Sequence, residues 1–124
     1  MKNGFEQVDA APPAFELLVK RLDPTVPLPK LPQGWQRAAT LPKGLTMLTS
    51  DQCPYIFFTE RSVRAVADQL NVPVTIVRVE TAQQAQQAPC PYGVMGIFYD
   101  GHLLSYRPIG AKELIETIQR QQAT

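Results

Sequence analysis

Leu45-Thr46-Met47-Leu48-Thr49-Ser50-Asp51-Gln52-Cys53-Pro54-Tyr55-Ile56 is the stretch on which the fold turns. An apolar run passes through four polar residues into a cysteine and then a proline, the pattern of a strand, a tight loop and a helix start. Proline is best tolerated at the first helical position, where its missing N–H has no partner to lose, so Pro54 makes Cys53 the expected N-cap. The unpaired amides at a helix N-terminus carry partial positive charge. They favour an anion, and the thiolate is the form of cysteine that attacks disulfides or binds metal.

Downstream, Val63, Val66, Ala67 and Leu70 recur at i, i+3, i+4 and i+7, which predicts an amphipathic helix over about 54–70 ended by Asn71. Val74, Ile76, Val77 and Val79 read as a β-branched strand, and Ala82 to Ala88 as a short helix stopped by Pro89. After Pro89-Cys90-Pro91-Tyr92-Gly93 come two apolar runs, 94–99 and 102–106, around Asp100-Gly101, the strongest local signal for a hairpin. Ala111, Leu114, Ile115 and Ile118 mark a last helix begun at Pro108 or Gly110, ahead of a polar tail from Gln121.

Upstream, Phe5-Glu6-Gln7-Val8 and Phe15 to Val19 read as two strands, with 9–13 as the turn between them. Two strands alone are marginal in water, so they are expected to add to another sheet, in this chain or in a partner. Residues 23–43 hold Pro24, Pro27, Pro29, Pro32 and Pro42 and form a stiff connector, with Trp35 its anchor on the domain. The expected organisation is an N-terminal β-hairpin (1–22), a proline-rich connector (23–43) and an α/β domain (44–124).

The 124 residues suffice for one compact domain of ordinary size. A formal net charge of +1 supplies no field that would draw nucleic acid or anionic lipid, and neither is expected as a partner. No apolar run approaches the length of a membrane helix and no signal-peptide pattern opens the chain, so a cytoplasmic protein with reduced thiols is expected. Two cysteines and the single His102 fall short of the usual four zinc ligands, so no metal and no cofactor are expected. No Ser-His-Asp set assembles, and Asp51 with Glu60 makes no carboxylate pair for acid–base work. Arg61 and Arg64, near the start of the first long helix, are candidates for holding a ligand carboxylate.

Strand, helix, strand, short helix, antiparallel hairpin and helix, in that order, resemble the thioredoxin-like mixed sheet flanked by helices. Cys53-Pro54-Tyr55 resembles the start of the glutaredoxin motif, with Ile56 where a dithiol member has its second cysteine. Asp51 to Tyr55, Ala88 to Val94 and Phe98 to Gly101 together are similar to the YoaP-like domain, a thioredoxin-like module found at the C-terminal end of some GNAT acetyltransferases. Gly4 to Asp9 and Pro13 to Leu18 are similar to the closing strands of those acetyltransferase domains, which extends the resemblance over nearly the whole chain.

That resemblance implies a loop built on Pro91, in the cis form, facing Cys53, with Cys90 close enough to serve as its resolving thiol. It also implies a groove for a thiol or peptide ligand bordered by Pro54, Tyr55, Pro91 and Tyr92. The glycine-rich pyrophosphate loop of a GNAT enzyme is missing, so acetyl transfer by this chain alone is not expected: either it is a shortened relative or its other half is encoded elsewhere. Two readings stand: a thiol-redox module centred on Cys53, and a non-catalytic binding or regulatory module. The second would meet an acetyltransferase, or a second copy, through the N-terminal hairpin.

Overall fold

The computed structural model describes residues 2–12, 15–34, 36, 40–90 and 93–122. Strands β1 (Glu6–Ala11) and β2 (Phe15–Val19) form a two-stranded antiparallel sheet. Strand β3 (Leu45–Thr49) leads through helix α1 (Pro54–Leu70) to β4 (Val74–Arg78), and helix α2 (Ala82–Gln86) follows. Strands β5 (Gly96–Tyr99) and β6 (His102–Ser105) precede helix α3 (Ala111–Gln122). The second sheet has the order β4-β3-β5-β6. β3 runs parallel to β4, in a register from Leu45 opposite Val74 to Thr49 opposite Arg78, and antiparallel to β5.

All five residues of β3 are buried, as a strand covered on both faces requires. Side-chain alternation divides them between two cores. Leu45 and Met47, with Ile97 of β5, pack against Val63, Val66 and Ala67 of α1 and Leu114 and Ile118 of α3. Leu48 and Phe98 point the other way and pack with Ala88 and Cys90, and Phe15, Leu41, Val79 and Leu103 close over them.

Local sequence explains the boundaries. Cys53 caps α1 in an extended conformation with Pro54 at the first helical position, and Asn71, in the left-handed conformation at φ 56°, ends the helix. Thr81 and Gln84 form a reciprocal capping box on α2. Asp100 and Gly101 both have positive φ, 50° and 84°, as the two-residue turn between β5 and β6 demands.

Two expectations are corrected. β1 continues through Asp9, Ala10 and Ala11, with a bulge between Gln7 and Asp9, so that 9–11 belong to the strand instead of the turn. Asp9 earns its place there: its carboxylate accepts hydrogen bonds from the amides of Ala10 (2.8 Å) and Leu31 (2.9 Å). Nor, within this chain, do β1 and β2 add to the larger sheet. They lean on its face through Phe15, whose ring centroid is 4.7 Å from that of Tyr106, so side-chain packing takes the place of a hydrogen-bonded ladder. The anchor assigned to Trp35 lies outside the described residues, but the neighbouring Gly34 is buried against the backbone of Ala88.

Candidate functional site

The loop between β3 and α1 brings Cys53 to the head of a 17-residue helix. The thiol is half-buried; it touches the first core and makes no side-chain cap hydrogen bond. Beside it opens a cleft of about 390 Å³ bordered by Ser50, Asp51, Pro54, Phe57, Glu60 and Arg78. The hydroxyl of Ser50, on this border, is buried and makes no hydrogen bond among the described residues.

Charge on this cleft is organised by Arg78, the last residue of β4. Its Nη1 donates to Asp51 Oδ1 at 2.9 Å, and its Nη2 lies 3.5 Å from Glu60 Oε1. Glu60 is paired a second time, Oε2 to the Nε of Arg64 at 3.4 Å. Arg64 is thus engaged within its own helix and Arg61 is exposed away from the cleft lining, so among the described residues the cation on the cleft beside Cys53 is Arg78. Asp51 and Glu60 meet through this guanidinium and not as an acid–base pair.

Sequence reading missed Arg78, although one signal was available. It is the single charged residue in an otherwise apolar and threonine-bearing parallel strand, and it stands at that strand's C-terminal end, where sites of α/β sheets concentrate.

Pro54 and Tyr55 are exposed next to Cys53, and Phe57 and Phe58 extend the aromatic surface, at 62% and 57% exposure. Tyr55 borders a second, smaller cleft with Phe58, Pro108 and Ile109. Pro91 and Tyr92 lie outside the described residues, and with them the expected proline loop and the other wall of the groove.

Cys53 and Cys90, the two cysteines expected to face each other, are not brought together. Cys90 is fully buried in the second core beside Leu48, Ala88 and Phe98, whereas Cys53 packs on the first, and no disulfide joins them. The sequence places Cys90 after a short helix whose end is drawn onto the far face of the sheet. Among the described residues no group of three His, Cys, Asp or Glu side chains is placed to hold a metal, and His102 is exposed beside the hairpin turn. No described helix is long and apolar enough to cross a membrane.

Fold and cleft together define a mixed α/β protein with one accessible thiol at a helix N-terminus. Comparison with known proteins adds that a family model described as YoaP-like matches residues 73–115, a span that holds Arg78 and Cys90 but not Cys53. The chain is also similar to the uncharacterized N-acetyltransferase YoaP of Bacillus subtilis (strain 168), with 21% identity over 103 residues. That match takes in 83% of this chain and 41% of the relative, so the chain spans about two fifths of the length of the protein it matches.

Proposed function

We propose that this chain is a thioredoxin-like, single-thiol module of the YoaP-like kind, with Cys53 as its reacting group. The sheet order β4-β3-β5-β6, with one parallel and two antiparallel pairings and α1 and α3 on one face, supports the thioredoxin-like assignment. The observation that carries the chemistry is the contrast between the two thiols: Cys53 opens on a charged cleft at the positive end of α1, and Cys90 is fully buried in the second core. With Cys90 in the other core, the centre works as a monothiol. It forms a mixed disulfide that an external thiol resolves.

The test is exchange with an aryl disulfide. The sulfur of Cys53 attacks one sulfur of the reagent, a mixed disulfide forms, an aryl thiolate leaves and the thiol proton passes to solvent. One equivalent released per native chain, abolished by Cys53→Ser, is the expected result. Release only after unfolding would refute the assignment.

A second reading is favoured by the relative's name as an N-acetyltransferase. In it the chain is a binding or regulatory module of an acetyltransferase, which it meets through the N-terminal hairpin. Exposed Phe5, Leu18 and Leu22 on and beside β1 and β2 suit such a contact. A photo-crosslinker at Leu18 that joins an acetyltransferase in the cell, where one at Asp68 of α1 does not, supports this reading. Equal crosslinking from both positions counts against it.

A further inference from the structure

We propose that Arg78 selects the reaction partner of Cys53 by charge: it favours thiol reagents and disulfides that carry a carboxylate, and Asp51 holds that carboxylate's place in the isolated chain. The proposal rests on Cys53 being the reacting group.

The two carboxylates on Arg78 are held very differently. Glu60 is 20% exposed and is gripped from both sides, by Arg78 and by Arg64, so it is a fixed part of the cleft. Asp51 is 91% exposed, and its one ion pair among the described residues is with Arg78 at 2.9 Å. An exposed pair of this kind contributes little, and an incoming carboxylate can replace it at little cost, because a guanidinium presents the same donors to either. Arg78 stands opposite Thr49 in the β3–β4 register, and Asp51 lies two residues before Cys53. The position Asp51 occupies therefore borders the same cleft as the thiol, the cleft that a molecule bonded to its sulfur would enter.

The experiment compares alkylation of Cys53 by iodoacetate, which carries a carboxylate, and by neutral iodoacetamide, using the full chain at low ionic strength with both cysteines followed by mass spectrometry. In each reaction the sulfur–carbon bond forms as iodide leaves, and the thiol proton goes to solvent. Both reagents attack the same thiol and are nearly the same size, so the ratio of their rates isolates the effect of charge. Arg78→Gln is expected to lower the iodoacetate to iodoacetamide ratio about threefold, Arg78→Lys to preserve it, and Asp51→Asn to raise it about threefold, both differences shrinking in high salt.

A ratio unchanged by Arg78→Gln and Asp51→Asn overturns the proposal. So does a shift of both variants in the same direction, the mark of a loop tether and not of a charge selector. Protection of Cys90 reports that each variant is folded; if Arg78→Gln loses it, Asp51→Asn and Arg78→Lys decide the matter. Cys53 inert to both reagents in the unaltered chain overturns the thiol reading and this inference together, whereas a reactive Cys53 with a flat ratio overturns this inference alone.

Discussion

The backbone of Gly34 lies directly against the carbonyl of Ala88: a Cβ at Gly34 would stand 2.0 Å from that oxygen and 2.7 Å from that of Gln87. The proline-rich connector is therefore pressed onto the segment that leads into Cys90, and only a residue without a side chain permits the approach. Gly34→Ala is expected to lower unfolding stability by about 1–3 kcal/mol and to open residues 23–43 to proteolysis. An unchanged urea midpoint would show that the connector is not seated there.

Gly44 and Asp100 exchange hydrogen bonds, the Gly44 amide donating to Asp100 Oδ1 at 2.8 Å and the Asp100 amide to the Gly44 carbonyl at 3.0 Å. They tie the start of β3 to the β5–β6 turn. Asp100→Ala is expected to cost about 1–2 kcal/mol, from the lost bond and the positive φ, and Asp100→Asn less, since asparagine tolerates that conformation. Gly44→Ala should cost more than either, because its φ is +88° and its Cβ would lie 2.4 Å from the Pro73 carbonyl oxygen. Equal midpoints for Asp100→Ala and Asp100→Asn would contradict this.

Cys53→Ser is expected to leave the fold intact, and to stabilise it by up to about 1 kcal/mol, because serine is a preferred N-cap and the thiol makes no cap bond. Urea titration of the variant checks it; a loss above that size would assign Cys53 a packing role.

Cys90→Ser is expected to behave oppositely. Cys90 packs against Leu48, Ala88 and Phe98, and losing the larger sulfur's contacts there should lower stability by about 1–3 kcal/mol while leaving the reactivity of Cys53 unchanged. A parallel loss of Cys53 reactivity in folded protein would revive a link between the two thiols.

Asp23 accepts hydrogen bonds from the hydroxyl of Thr25 at 2.7 Å and from its amide at 2.9 Å, and these hold its carboxyl below the usual range. With a lowered folded value, its contribution to the connector turn is present above the unfolded value and is lost as pH falls through the folded one. Thr25→Val should move the carboxyl resonance of Asp23 to a higher titration midpoint by NMR. An unmoved midpoint would remove the hydroxyl as the cause.

Much of the fold was legible in short-range pattern. Pro54 marked the start of α1, Asn71 its end and Asp100-Gly101 the hairpin, because each residue's own backbone preference matches its conformation. What pattern could not supply was which face a residue would join. Cys90 sits in a loop whose path depends on where Leu48 and Phe98 point, so its burial away from Cys53 is a tertiary outcome. Arg78 was hidden for a related reason: at the end of a strand it looks like a solvated cap, and only the β3–β4 register brings it to Asp51 and Glu60. Asp9 looked like a turn residue because its partner, the Leu31 amide, lies in the connector.

The most direct test of the account is site-resolved alkylation of the native chain with iodoacetamide at neutral pH, each cysteine read by mass spectrometry with and without urea. Modification of Cys53 in the folded protein, with Cys90 protected until unfolding, is the predicted result. Protection of both thiols until the chain unfolds, or modification of both at the same rate, would contradict it.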